Sequence, residues 1–332
     1  MKNYDFIAIG DIVTDAFIRL KDASVHCDIN KENCQLCMSF GDKVPYESVD
    51  VIRAVGNSAN AAVSASRLGL SSALVANVGK DLNGEECIAT LEKEKVATEF
   101  IKTHSDKETN YHYVLWYEDE RTILVKHQEY DYSLPNIGTP KWLYLSSLAE
   151  NSMPYHEEII KYLKLHPTVK LAFQPGTFQM KLGKERLAGL YQLTEVFFCN
   201  VAEAKRILGI QGDLSIRDLI MKMSALGPKI TVITDGPKGA YAYDGIEIWF
   251  MPTYPDPKAP LERTGAGDAF ASTFTSALAL GMSIPQALSW GPINSMSVVQ
   301  DIGAQRGLLI REKLERFLEE APKNYKPRLW EE

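Results

Sequence analysis

From Phe6 to Tyr243 the chain alternates short apolar runs, rich in β-branched and aromatic residues, with longer stretches of helical period. The runs are Phe6–Ile9, Ala73–Val78, Trp142–Leu145, Val169–Phe173, Val196–Cys199, Ile230–Thr234 and Ala240–Tyr243. The helical stretches are Ser58–Arg67, Gly84–Lys95, Tyr155–Leu165, Lys184–Tyr191, Val201–Leu208 and Ile216–Leu226. A strand, a helix and a second strand return to one sheet through a crossover. The rhythm therefore predicts an α/β fold with a mostly parallel sheet covered by helices on both faces. Sheets of this kind bind ligands at the carboxyl ends of their strands.

Two regions break the rhythm. Residues 12–20 and 44–53 alternate polar and apolar side chains with no useful helix between them. Residues 110–128 read as a hairpin whose turn is the acidic Glu118-Asp119-Glu120. Both fit a small, half-exposed sheet. With no repeat, low-complexity tract or Pro/Ser-rich linker in between, the expectation is one domain over residues 1–332, with a lid formed from about 12–20, 44–53 and 110–128.

A chain of 332 residues can bury an ample core without disulfides or structural metal. Its 36 basic and 43 acidic residues give a net charge of −7, which argues against general binding to nucleic acid or an anionic membrane but leaves room for a local phosphate pocket. No apolar run approaches the roughly 20 residues needed to span a bilayer. The start of the chain lacks a signal-peptide core, so a soluble, cytoplasmic protein is expected. Of the five cysteines, Cys87 and Cys199 sit in apolar segments and read as buried free thiols. His26, Cys27, Cys34 and Cys37 form a cluster that fits either zinc or adventitious thiols in a lid loop, with thiols favoured.

The strongest chemical signal is Glu262-Arg263-Thr264-Gly265-Ala266-Gly267-Asp268, which opens a helix marked by Ala269, Phe270, Phe274, Ala277 and Leu278. Small residues before a helix leave its first N–H groups uncovered. Those donors and the positive end of the helix dipole favour an anion, such as a phosphate in transfer. Asp268, in the first turn, could take the proton from an attacking hydroxyl. On its own the segment is as readily a tight turn with a capping Asp. It is neither a dinucleotide fingerprint, because Phe270 stands where the third glycine belongs, nor a Walker loop.

Three further segments add weight. Gly56-Asn57-Ser58-Ala59-Asn60 opens a helix of small residues, and Asn60 carries a donor and an acceptor suited to sugar hydroxyls, although an isolated turn Asn is more often a cap. Asn200 and Glu203 lie on one helical face after an apolar strand; alone they are a capping box, and the carboxylate could also order the water shell of Mg²⁺. Thr234-Asp235-Gly236-Pro237-Lys238-Gly239 is a strand-to-turn element able to meet nucleotide phosphates or ribose, or a plain hairpin turn.

In this combination and order the segments resemble the ribokinase/PfkB family of carbohydrate and nucleoside kinases, from Gly10 to about Gly307. The resemblance implies a three-layer sandwich with a mostly parallel central sheet and a β-sheet lid. It also implies ATP and Mg²⁺ as cofactors and a sugar or nucleoside as acceptor. Asp268 is similar to the family's catalytic base, and Gly265, Ala266 and Gly267 to its anion hole. Asp15, Gly56, Asn57 and Asn60 match acceptor-binding positions. Asn200 and Glu203 match an element acting on Mg²⁺, and Thr234, Gly236 and Gly239 a nucleotide segment, with adenine against the region of Asn294. Glu262 and Thr264 stand where relatives bind a monovalent cation, which implies K⁺, although Arg263 brings a fixed charge beside them. Other departures are Val55-Gly56 in place of two glycines, and Gln174-Pro175-Gly176 where Asp-Pro-Asn is frequent. The family also implies a homodimer through the lids. The competing readings are a non-catalytic nucleotide-binding homologue and, disfavoured by the failed glycine fingerprint, a dinucleotide-dependent oxidoreductase. Tyr111, Tyr113 and Trp116 either stack on a nucleobase or form the packed face of the lid, the latter favoured.

Overall fold

In the computed structural model, residues 3–27, 34–118 and 120–331 are described. Strand β1 (Phe6–Ile9) is buried on both sides: Phe6 and Ala8 enter one apolar layer, Ile7 and Ile9 the other. A strand with no polar face belongs at the centre of a covered parallel sheet. There β1 lies, flanked in parallel by β6 (Ser72–Gly79) and β10 (Trp142–Leu145).

The sheet continues in parallel from β10 through β11 (Lys170–Phe173) and β12 (Thr194–Asn200) to β13 (Ile230–Thr234), and beyond β6 to β7 (Ile101–His104). Three antiparallel strands then extend the β13 edge: β14 (Ala240–Tyr243), β15 (Ile248–Met251) and β16 (Arg328–Leu329). The alternation thus identified the parallel centre. It missed β7 and β16, the short strands at the two edges, and β15 just inside one of them, all set by what they pair with.

Helices α1 (Asn57–Arg67), α2 (Leu82–Lys93), α8 (Ala266–Ala279), α9 (Ile284–Val298) and α10 (Arg311–Glu319) cover one face. Helices α3 (Met153–Leu165), α4 (Thr177–Leu182), α5 (Ala188–Leu193), α6 (Val201–Leu208) and α7 (Ile216–Ser224) cover the other. The sequence predicts one helix over Lys184–Tyr191. Instead α4 stops at Gly183, whose φ of +87° no helix continues, and α5 starts later.

A separate four-stranded sheet has the order β5 (Tyr46–Val55), β2 (Val13–Leu20), β8 (Tyr111–Tyr117), β9 (Glu120–Leu124). These strands come from the three predicted lid segments. The inner face carries Phe17, Ile52 and Val114, which with Val13 and Val55 pack on Ile302 of the main body. Across the outer face, register aligns Val51, Ala16, Tyr113 and Leu124. Tyr111 and Tyr113 stack on each other on that outer face, with Tyr113 49% exposed, while Trp116 is buried under Arg19.

The Cys cluster is not a plain loop. Strands β3 (Ser24–His26) and β4 (Gln35–Cys37) pair as a small hairpin, and a disulfide joins Cys27 to Cys34. That corrects the expectation of thiols at Cys27 and Cys34 and removes two of the four supposed zinc ligands, while Cys37 keeps its thiol. Among the described residues no group of three or more His, Cys, Asp or Glu is placed to hold a metal. Cys87 and Cys199 are buried free thiols, as expected. No helix of the described residues is long and apolar enough to cross a membrane.

Candidate active site

Gly10, Gln174, Asn200 and Thr234 all sit at or just beyond the carboxyl ends of parallel strands, and Asn200 is the register partner of Thr234. The sheet thus gathers the predicted segments along one edge, where α/β folds bind their ligands.

At this edge Gly265 caps α8 with φ +79°, and a Cβ on it would lie 2.3 Å from the Cβ of Ala304. Only glycine fits both the left-handed backbone and the close approach. The turn it makes presents the first N–H groups of α8, those of Gly267 and Asp268, with no acceptor inside the helix. The next, Ala269 N–H, already bonds Gly265 C=O at 2.8 Å. A Cβ added at Gly267 would have nothing nearer than the Gln174 amide at 4.0 Å, so space lies over the turn. Uncovered N–H groups at the positive end of a 14-residue helix make an anion site.

Asp268 projects from this turn and accepts three side-chain amides. Asn57 Nδ2 donates to Oδ1 at 2.9 Å, Asn60 Nδ2 to Oδ2 at 2.8 Å, and Gln174 Nε2 to Oδ1 at 3.1 Å. Two of these amides are oriented from behind. The Tyr144 hydroxyl donates to Gln174 Oε1, which leaves the Gln174 NH₂ to face Asp268. Gln305 Nε2 donates to Asn60 Oδ1 at 3.0 Å and to Ala54 C=O at 2.6 Å, fixing Asn60 likewise. Arg67 steadies Gln305 in turn: it donates to the Gln305 carbonyl at 2.9 Å while forming a two-point ion pair with Glu94. Burial pushes the Asp268 carboxyl above the usual carboxylate range, and the bonds from Asn60, Gln174 and Asn57 pull it back down. The result is a carboxylate held in one orientation with a raised proton affinity, which suits proton abstraction.

The remaining predicted residues divide. Asn57 and Asn60, expected to bind the acceptor, direct their donors at Asp268. Gly56 serves close packing: its φ is +115° and an added Cβ would lie 2.6 Å from Asp11 C=O. Asn200 and Glu203 form a reciprocal capping box, both bonds at 2.9 Å. Even so, Glu203 feels the site: burial raises its carboxyl, and the charge of Asp268 adds to the effect. Thr234, Gly236 and Gly239 belong to the hairpin joining β13 to β14, whose last register pair is Thr234 with Ala240. Asn294 is fully buried, donating to Thr273 Oγ1 at 2.7 Å and accepting Leu309 N–H at 2.9 Å. Its side chain ties α9 to its neighbours and is not itself free to meet a ligand.

Glu262 is 4% exposed, and its two oxygens accept Thr264 N–H at 2.7 Å and Gly303 N–H at 2.8 Å. It straps the approach to α8 onto the segment that contacts the lid. Thr264 Oγ1 is buried without a partner, so an oxygen is available beside it. Asp15 lies on the inner face of the lid opposite His112.

Sequence reasoning missed Tyr144, Gln174 as a donor, Gln305 and Asp11. Asp11 follows β1 after Gly10, and both its oxygens accept the Tyr132 hydroxyl, at 2.8 and 2.9 Å. A carboxylate two residues past the end of a central strand was the available signal for Asp11. For Gln305, remote in sequence, there was none.

The profile of the pfkB family carbohydrate kinases matches residues 22–311. The chain is 29% identical over 271 residues to the ribokinase of Bacillus subtilis, covering 79% of this chain and 87% of the relative. It is 24% identical over 270 residues to a nucleoside kinase of Methanocaldococcus jannaschii, covering 80% and 85%. Its fold superposes on the structure of Arabidopsis thaliana ribokinase complexed with ribose and ATP with a TM-score of 0.77 at 17% identity, over 96% and 99% of the two chains. The match spans well over half of the sequence, and the parallel sheet, the lid and the glycine turn before Asp268 agree with it: the chain belongs to the pfkB family of carbohydrate kinases, phosphotransferases acting on the hydroxyl of a sugar or nucleoside.

Proposed function

We propose that this chain transfers the γ-phosphoryl group of ATP to a hydroxyl of a sugar by in-line displacement, with Asp268 as the base. The observation that carries the proposal is the Asp268 carboxylate, held by three amides on the turn that presents the free N–H groups of α8. Asp268 takes the hydroxyl proton at one of its oxygens. The N–H groups around Gly265, Ala266 and Gly267 receive the charge that develops on the transferred group. Fixing both parts before the substrates arrive supplies the positioning on which such reactions depend.

Mg²⁺, when bound, neutralises phosphate charge; Glu203 is the carboxylate suited to hold it through water, with Asn200 beside it. Thr234, Gly236 and Gly239 lie on the nucleotide side of the same edge. The unpartnered Thr264 Oγ1 next to Glu262 supports a monovalent cation site. Activity is therefore expected to rise and saturate with KCl against a choline salt, and superimposed curves would remove that site from the account. The lid, folded over the 302–306 segment, would exclude water during transfer. Val49, Tyr113 and Leu124, exposed on its outer face, support pairing of two copies there.

A sugar is favoured over a nucleoside because Tyr111 and Tyr113 point away from the cleft, while the inner face of the lid offers Asp15 and His112 instead of an aromatic slot. A coupled ADP-release screen of ribose, fructose, 2-keto-3-deoxygluconate, adenosine, guanosine and cytidine tests the reading. Turnover on a sugar is the expected result. Turnover confined to nucleosides would reverse the acceptor class, and no ADP release with any acceptor would favour a non-catalytic homologue.

A further inference from the structure

Where β1 meets the lid lies a second polar cluster, used by neither the anion hole nor the nucleotide side. Asp11 follows β1. Asp15 and His112 are register partners on the inner face of the lid, and His127, Tyr132 and Phe178 close in from later segments. His127 Nδ1 lies 3.7 Å from Asp11 Oδ2, and His112 Nδ1 lies 3.3 Å from Asp15 Oδ1. The two imidazole rings are 5.0 Å apart, and His127 stands edge-on to Phe178. A short path of contacts links this cluster to Asp268. The Asp11 carbonyl touches Gly56, and the next residue, Asn57, donates to Asp268.

Three buried atoms here have no hydrogen-bond partner: Asp15 Oδ1, His112 Nε2 and His127 Nδ1. Asp15 and His112 are each only 9% exposed, and Asp11 is 4% exposed. Among the described residues neither carboxylate has a lysine or arginine in ion-pair reach; their only basic neighbours are the two histidines. Buried carboxylates are costly without a cation and without donors for their lone pairs. Asp11 has one hydroxyl for two oxygens. A ligand bringing positive charge and several O–H groups would complete this cluster, whereas a phosphorylated one would set a dianion against two carboxylates. A metal is not the missing partner, since no described group has the geometry for one.

We propose that this junction, where the family resemblance already puts an acceptor-binding Asp15, selects a polyhydroxyl acceptor bearing a protonated amine. The ammonium sits between Asp11 and Asp15, and the hydroxyls sit on His112 and His127. The inference rests on the kinase reading above for its reaction and adds the class of acceptor. The junction takes no part in the transfer itself.

Calorimetric binding of matched pairs to the full chain with ADP present tests this: 1-amino-1-deoxyfructose against fructose, glucosamine against glucose, and fructose 6-phosphate as the anionic control. The expected result is that the amino sugar binds at least about tenfold tighter than its neutral parent in one pair, with fructose 6-phosphate weakest. Asp11→Asn and Asp15→Asn should each narrow that ratio by about tenfold. Each ratio is taken within one variant, so losses common to both sugars cancel. Should neither variant fold, the wild-type ratio alone decides. Amino sugars that bind no better than their parents, or not at all, overturn the inference, as does a ratio unchanged in both folded variants. Amino-sugar binding with no ADP release would instead leave the subsite standing and overturn the kinase reading.

Discussion

Asp268 and Asp11 are buried carboxylates linked through Gly56 and Asn57, and their surroundings are opposite. Asp268 accepts amides from Asn57, Asn60 and Gln174, with Asn60 and Gln174 themselves fixed by Gln305 and Tyr144. Asp11 has one tyrosine hydroxyl, and its neighbours Asp15, His112 and His127 keep buried atoms unpaired. Polar groups satisfied before any ligand arrives hold one geometry, which is what a reacting group needs. Polar groups left unsatisfied are stabilised by whatever ligand completes them, which is what a selecting site needs. In the proposed reaction these two regions divide the work between chemistry and recognition.

The largest expected effect lies at the chemical end. Asp268→Asn should lower kcat by about 10²–10⁴ while leaving Tm within a few degrees of wild type. More than about a tenth of wild-type kcat remaining would contradict a base of this size. Next, Asn60→Ala removes a bond to a charged group, so kcat should fall about 10- to 100-fold.

The same variant carries a pH signature. The proposed reaction needs the Asp268 carboxylate, and burial raises its proton affinity, so kcat/KM should fall in acid above the ordinary carboxylate range. The Asn60 bond works against that shift. Its loss should move the acid limb to higher pH, and an unmoved limb would separate Asn60 from the reacting group.

At the recognition end, Tyr132→Phe leaves Asp11 without its only hydrogen-bond donor among the described residues. Urea unfolding should show a loss of about 2 kcal/mol, with the acid limb of activity where it is in wild type. A shifted limb would mean that the two ends are coupled and the division drawn here is false. The smallest effect is expected one step behind Asp268. Gln305→Leu should cost about fivefold in kcat, the worth of one ordinary hydrogen bond.

Much of this was legible in the sequence because it depends on local pattern. Continuous apolar runs such as Trp142–Leu145 marked central strands, since a strand buried on both faces has no polar side to show. Gly265 and Asp268 were legible because the anion site is made of backbone at a helix start. What stayed hidden is what register and long-range pairing create. Asn57 and Asn60 read as acceptor ligands, because nothing local says that their amides turn toward a carboxylate more than 200 positions away. Adenine was set against the region of Asn294 by the family resemblance alone, and no local pattern says that this side chain is satisfied by Thr273 and Leu309 inside the core. Tyr113 and His112 are adjacent in sequence and lie on opposite faces of the lid. Only strand pairing decides which of them meets the cleft.

A crystal structure with a non-hydrolysable ATP analogue and a bound acceptor tests the central claim most directly. The account predicts the terminal phosphate on the N–H groups of residues 265–268 and the acceptor hydroxyl within hydrogen-bond distance of an Asp268 oxygen. A terminal phosphate seated elsewhere, or an acceptor hydroxyl out of reach of Asp268, would contradict it.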